Sequence, residues 1–406
     1  MTLRDFNPSL MRALVERRSK RFPVGGALRA RRGGLAHESS EKPYPLSEEE
    51  TALLCFAAAG TTGVTTEEIR HLMGHLTCTG RTAGSPCASM TMHLFYTDDE
   101  GLFYYKSPTL CPSDRAIRLC SGGSVSLQAI VQDFHDHRIK LQDGRLDVPR
   151  EAIGAAFESF VNLPGTTMFI PLADTTREYI NLLMTGVAQF RWQLWDEVTH
   201  TPAGVDRWVE NGFLNGPRIT IHQYDQMLPW LCSLEAGMAM QNCALMVSAL
   251  GIGCFPMHTI DLPTVMRCMG MRFAQPSVAY PQASPNPVGI PGVLEGTCPP
   301  NHSVDEAVDA VAELKWGEGG LYGPDGYNLS RPKLYDDVVE VSREFCRYVY
   351  NTYGRLPKYA DAMFIPLLFQ AHHIDLEFYE RHLPDHVTEA ERDHRRIWHA
   401  GEGGGV

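Results

Sequence analysis

Residues 234–257, LEAGMAMQNCALMVSALGIGCFPM, constrain the fold more than any other stretch of the chain. Ala236, Ala239, Met240, Cys243, Ala244, Val247 and Leu250 recur at three- and four-residue spacing, the mark of an apolar helix face. Most residues between them are also small or apolar, so the helix is expected to be buried on several sides. Gly237, Ala239, Ala244 and Ala249 let a neighbouring backbone approach closely. Gly251 and Gly253 then end the helix, because glycine takes the left-handed conformation that a helix C-terminus often needs. Gln241 and Asn242 are polar residues in this apolar setting. They read as bonding neighbouring backbone or as a subunit contact.

A length of 406 residues gives one large domain or two ordinary ones. The net charge of -12 argues against a general nucleic-acid binder, which needs clustered cations to neutralise phosphates. Basic residues do cluster in Arg17-Arg18-Ser19-Lys20-Arg21 and at 29–32, a set sized for one phosphate-bearing ligand. No run of about 18 apolar residues escapes polar interruption, so no membrane span is expected. The first residues lack the apolar core of a secretion signal, and a cytoplasmic protein is expected. The 11 cysteines are scattered, without a CxxC pair or metal-ligand spacing, and read as reduced core residues.

Taken in order, the chain predicts a short helix over 7–21, a loop over 22–45, and a helix begun by Ser47 with Glu48, Glu49 and Glu50 in its first turn. Thr65-Thr66-Glu67-Glu68 reads as another helix start. Residues 91–106 read as a hairpin turning at Asp98-Asp99-Glu100-Gly101. One helix is expected within 113–140, others at 150–160 and 176–195, and a buried strand at 167–172. Residues 203–224 read as a loop or short helix, and 261–271 as a short helix. The Pro-rich stretch 275–300 reads as an extended arm or lid. Helices are expected at 303–314, 331–353 and 360–383, with a glycine-rich loop at 317–326 and a tail over 389–406 whose GEGGGV tip is expected to be disordered.

Four stretches could carry chemistry. The basic run can grip a phosphate or be a solvated patch. Arg81-Thr82-Ala83-Gly84-Ser85 is a small-residue loop that a flat ligand could approach closely. His372, His373 and Asp375 with Glu377 form the one metal-like cluster, in which His372 and Asp375, or His373 and Glu377, would share a helix face at three- or four-residue spacing. Without a distant ligand, the cluster reads as capping or packing, and no metal is expected. Cys254 beside its glycine turn has only His258 nearby to activate it. Phosphate-loop, dinucleotide and hydrolase-elbow motifs are absent.

In this order the pieces resemble the FMN-dependent nitroreductase superfamily, nearest in pattern to its azoline-dehydrogenase branch. The basic run is similar to an RRSxR segment, which implies that Arg17, Arg18, Ser19 and Arg21 hold the FMN phosphate and pyrimidine edge. Residues 46–60 resemble the family's second helix. Residues 81–89 and the following hairpin resemble its flavin-contacting loop, which implies contacts from Arg81, Ala83, Gly84 and Ser85. The 235–253 helix and turn resemble the core helix, which sets Phe255, Pro256, Met257 and His258 against the flavin N5. The resemblance spans roughly residues 10–260. It departs from the family in the insertion at 23–45, in lacking identifiable C-terminal phosphate cations, and in reading Arg191-Trp192-Gln193 where a catalytic Lys–Tyr pair is expected.

The resemblance implies an α+β fold: a nitroreductase-like central antiparallel sheet flanked by helices, with a helical C-terminal extension. It divides the chain into a flavin-binding domain, 1–270, and a Pro-rich arm with helical extension, 271–406. It implies a homodimer that takes electrons from NAD(P)H and passes them through FMN to a small organic acceptor. Two alternatives stay open: a flavin-linked dehydrogenase or oxidase of a modified peptide, and a flavin-binding protein without turnover.

Overall fold

The computed structural model describes residues 9–28, 35–69, 74–86, 89–106, 120–121, 124–278, 284–317 and 335–399. It mixes helix and sheet around a central seven-stranded sheet. The strands are β1 (Met92–Thr97), β2 (Gly101–Tyr105), β3 (Arg138–Asp143), β4 (Thr167–Asp174), β5 (Gly253–Met257), β6 (Met363–Phe364) and β7 (Leu368–His372). Their order is β5-β7-β4-β1-β2-β3, with β6 beside β4, and every pairing is antiparallel. The principal helices are α1 (Leu10–Glu16), α2 (Glu48–Ala59), α3 (Leu127–His137), α4 (Thr175–Phe190), α5 (Ile221–Leu250), α6 (Val304–Trp316), α7 (Tyr335–Tyr353), α8 (Leu376–His382) and α9 (Glu389–Trp398).

The β1–β2 hairpin forms where its turn chemistry places it. The Asp98 carboxylate accepts from the backbone N–H of Glu100 and Gly101 at 2.9 and 3.1 Å. Side chains then alternate between two buried faces. Leu94, Tyr96, Phe103 and Tyr105 pack with α2, α3 and the second half of α5. Phe95, Leu102 and Tyr104 pack on the opposite face with Met168, Ile170 and Leu368. Aromatic pairs reinforce both faces, with Phe95 stacked on Tyr104 and Tyr96 on Phe103.

Helix α5 joins the sheet to a separate helical core. It starts at Ile221, earlier than the sequence predicts, behind a capping box of Thr220 and Gln223. Its first half sends Ile221, Tyr224 and Leu228 into a core with α4, α6 and α7. Its second half sends Ala239, Cys243, Val247 and Leu250 against the sheet. Gly251 ends it at φ +79°, as the sequence predicts, and a Cβ there would lie 2.3 Å from the Ala390 carbonyl oxygen. Glycine is therefore also what admits the start of α9.

Other expectations change. Residues 65–68 start no helix but lie in strand Thr61–Ile69, paired with Gly74–Arg81, as the β-branched run favours. The helix at 150 stops at Ile153, where Gly154 takes φ +79°. Helix α4 stops at Phe190, because Arg191 is left-handed, and Gln193–Asp196 is a strand. The Pro-rich stretch is no lid. Asn286–Ile290 is a fully buried strand between Arg272–Ala274 and Leu294–Glu295, and Thr297 bonds to the Asp174 carboxylate. Most of the expected loop at 317–326 lies outside the described residues.

Residues 360–383 are not one helix. They form β6, β7 and α8. Strand β7 sits between β5 and β4, so a division at residue 270 would cut the sheet, and the C-terminal part is no mere helical extension.

Candidate functional site

The basic run follows α1 and lies across the ends of β5 and β7. The Lys20 carbonyl accepts from His372 Nε2 at 3.1 Å, and the Val24 N–H donates to the His373 carbonyl at 2.9 Å. Gly253 makes room for it: a Cβ there would lie 2.6 Å from the Lys20 carbonyl oxygen and 2.8 Å from His372 Nε2. The second glycine of the turn thus seats the basic run against the sheet.

The five residues of the run divide by role. Lys20 is buried, with Nζ 2.5 Å from Glu391 and 2.7 Å from the His386 carbonyl. Arg18 bonds the Val15 and Arg17 carbonyls and so closes the end of α1. Arg17 and Arg21 have no acidic partner among the described residues. The Arg21 guanidinium sits 4.3 Å from the centre of the Phe255 ring. The Ser19 hydroxyl and the Arg17 and Arg21 charges all act on the Cys254 thiol. Arg17, Ser19 and Arg21 therefore converge on Cys254 and Phe255.

Strand β5 is the edge of the sheet. Phe255 and Met257 are buried, while Pro256 and His258 are exposed. Pro256 has no N–H to offer, which blunts the edge against further strand pairing. Cys254 is fully buried, and burial, only partly offset by the nearby guanidinium groups, pushes its thiol up to about 11, which works against the thiolate a nucleophile needs.

The loop after Arg81 lies elsewhere. Arg81 reaches the Met90 sulfur at 3.0 Å and the Ala59 carbonyl at 3.5 Å. The Ser85 hydroxyl donates to Glu235 at 3.0 Å and accepts from the Met90 N–H at 2.8 Å. These side chains hold the loop to the protein. Ala83 and Gly84 instead border a cleft of about 430 Å³, lined on α5 by Ser233, Gly237, Met238 and Gln241. Asn242 donates to the Thr82 and Ala57 carbonyls at 2.8 and 3.3 Å, the backbone-bonding role read from its position. No residue of the basic run lines this cleft. Within one chain, the expected ligand residues form two groups rather than one pocket.

Beside the cleft, α5 exposes Trp230, Leu234 and Met238 at four-residue spacing. Trp230 is 72% exposed, which is unusual for so large an apolar side chain. Helix α1, packed along α5, exposes Leu10, Met11, Leu14 and Val15. Each of these two packed helices thus leaves large apolar side chains in solvent.

The metal-like cluster is not arranged on a helix. Asp375 does cap α8, accepting from the Phe378 N–H at 2.8 Å, and Glu377 pairs with Arg381. Burial drives the His372 imidazole down to about 3, so it stays neutral beside Lys20. His373 turns away from all three and meets Glu50, His394 and His399. In the sequence Glu50 reads as a helix-start residue, and nothing singles out His394 or His399 in the tail. Residues 389–398 form a capped helix, α9.

No protein-family model matches the chain, and no curated protein does. Among solved structures, a chain from Ralstonia eutropha JMP134 described as "a putative nitroreductase" is similar over 64% of this chain and 75% of its own. The identity is 13% and the TM-score 0.31, and a likeness at that score carries no weight for fold or function. Among the described residues, no helix is long and apolar enough to cross a membrane.

Proposed function

We propose that the chain is an FMN-binding oxidoreductase whose cofactor site is completed by a second copy of the chain. The observation that carries this reading is the separation of the expected ligand residues into two groups, each beside exposed apolar helix surface. Pairing of two copies through α1 and α5 would bury Leu14, Val15, Trp230 and Leu234 and bring the Ala83–Gly84 cleft of one against the basic edge of the other.

The residues at the edge suit a phosphorylated flavin. Arg17 and Arg21 are cations without acidic partners among the described residues, and Ser19 adds a hydroxyl, the donor set a terminal phosphate requires. Ala83 and Gly84 admit a flat ring, since a Cβ at Gly84 would meet only the flexible end of Met238. Phe255, Pro256, Met257 and His258 would border the ring along the sheet edge, while Arg18, Arg81 and Ser85 position the two groups. When bound, FMN would supply hydride transfer between NAD(P)H and a small organic acceptor. The chain's own residues bind, orient and exclude water.

The test is the visible spectrum of purified protein, before and after addition of FMN. Flavin bands that bleach anaerobically with NADH or NADPH are expected. A colourless protein that takes up no FMN overturns the reading. Bands that do not bleach would favour a flavin-binding protein without turnover.

A further inference from the structure

Glu50, His373, His394 and His399 come from the first turn of α2, the residue after β7, helix α9 and the residue that follows it. They are between 0 and 7% exposed. One ligand atom from each falls within 4.8 Å of all the others. Glu50 Oε1 lies 3.4 Å from His373 Nε2 and 3.1 Å from His394 Nε2, and Oε2 lies 3.3 Å from His399 Nε2. Tetrahedral ligand atoms bonded at about 2.0–2.1 Å to one ion stand roughly 3.3–3.4 Å apart, close to these separations.

The outer contacts are those of oriented metal ligands. His373 Nδ1 is 3.1 Å from the Tyr44 carbonyl, and His394 Nδ1 is 2.7 Å from the Leu250 carbonyl. A carbonyl only accepts, so each Nδ1 carries a proton and Nε2 is turned inward toward Glu50. With Nδ1 protonated, Nε2 can face a carboxylate only across a second proton or a positive ion. His394 Nε2, buried and directed at Glu50, makes no hydrogen bond. Protons on both His373 Nε2 and His394 Nε2 would set two charged rings side by side, since their centres are 5.0 Å apart. Glu50 itself is fixed by the capping box: the Ser47 N–H donates to Oε2 at 2.6 Å, and this holds Oε1 toward His373 and His394 and Oε2 toward His399. Tyr44 stacks on His373 at 4.1 Å and meets His399 edge-on.

We propose that these four residues form a closed binding site for a divalent transition-metal ion of the zinc type, which clasps α2 and the C-terminal segment to the end of β7. Three imidazoles and one carboxylate suit zinc and disfavour calcium or magnesium, which take oxygen ligands. A cleft of about 440 Å³, bordered by His399, Tyr44, Lys42 and Arg395, gives the ion a route in. The site does not depend on the flavin reading, because a colourless protein would still hold the ion.

Full-length protein is purified without chelator or metal column, dialysed with zinc, and assayed by elemental analysis and by cobalt(II) substitution. About one zinc per chain is expected, with the visible bands of four-coordinate cobalt. His394→Ala and Glu50→Gln should each lower zinc occupancy or affinity at least about tenfold, with circular dichroism confirming the fold. Glu50→Gln keeps the cap and serves if His394→Ala does not fold. Wild-type protein that retains under about a tenth of an equivalent and gives no cobalt bands overturns the proposal. So does full zinc retention in a folded variant, which would place the ion elsewhere.

Discussion

The Glu50 cluster and the edge of β5 are close neighbours, since His372 pairs with Gly253 across the sheet. They are built in opposite ways. The cluster is closed within one chain, and a backbone carbonyl or a helix cap orients His373, His394 and Glu50. The edge is open: Arg21 is exposed and Arg17 half-buried, and its expected counterpart, the Ala83–Gly84 cleft, lies elsewhere on the same chain. Lys20 and Arg21 show the contrast across a single peptide bond. Lys20 is buried against Glu391, while Arg21 lies exposed over Phe255. A buried charge needs its partner in the same chain, because an unpaired one costs several kcal/mol. An exposed cation can wait for a ligand at almost no cost to stability.

The largest expected effect is at the closed site. Glu50→Ala removes the acceptor that three buried imidazoles face and the Ser47 side of the cap. It should lower unfolding free energy by roughly 3–5 kcal/mol, read as a shift in urea midpoint at unchanged slope. A loss below about 1 kcal/mol would mean that the cluster is not coupled to folding, and the contrast with the open edge would fail.

A second buried carboxylate sharpens what makes the cluster special. Burial works against the charge on Glu50, but the imidazoles that face it hold its carboxyl well below the usual range. Asp225 is just as buried but has no facing imidazoles. It accepts from the Tyr359 N–H at 2.6 Å, and burial pushes its carboxyl up to about 7. A raised value means that the folded chain holds the proton more tightly than the unfolded chain does. Stability from Asp225 is therefore present below the unfolded value near 3.9 and lost as pH rises through about 7. Asp225→Asn should remove that loss and raise stability at pH 8 by roughly 2 kcal/mol, after the cost of its extra amide protons. Equal pH slopes for variant and parent between pH 4 and 8 would show that Asp225 is ionised throughout, like Glu50.

Legibility in the sequence follows the same division. The hairpin of β1 and β2 was readable because its turn residues and alternating aromatics each point to the same register. The second half of α5 was readable from its small apolar face. Its first half was not, because His222, Gln223, Asp225, Gln226 and Pro229 interrupt the apolar spacing. Strand β7 is buried along its whole length, and a short buried strand shows no alternation to separate it from a helix. Glu50 looked like a cap and is one; its second role needs His373, 323 residues away. His394 sits alone as the buried residue of a highly charged helix. No local pattern marks it. The open edge, by contrast, was legible as a basic run, though the run could not say that Lys20 and Arg18 would turn to the protein itself.

The apolar surface on α5 tests whether the open edge is half of something. Trp230→Asp places a charge where 72% of the side chain already meets water, so the isolated chain should lose no more than about 0.5 kcal/mol. Assembly should respond far more. Light scattering at micromolar protein is expected to show a dimer for the parent and a monomer for the variant, with FMN uptake lost in parallel. A parent that is monomeric while binding FMN would make the edge a complete site and end the comparison.

The smallest expected effect on stability is at the edge itself, and its smallness is the point. Arg17→Ala and Arg21→Ala remove side chains with no acidic partner among the described residues, so each should move the urea midpoint by no more than about 0.5 kcal/mol. Each should nevertheless weaken FMN binding by roughly 10- to 100-fold, the worth of one charge-assisted hydrogen bond to a phosphate. Lys20→Ala is the counterpart one residue away. It leaves Glu391 buried without its cation and should cost stability on the scale of Glu50→Ala. If Arg21→Ala destabilised the fold as much as Lys20→Ala, the edge would be a structural patch. If it left FMN affinity unchanged, measured by fluorescence quenching on titration, the guanidinium would serve only the Phe255 ring beneath it.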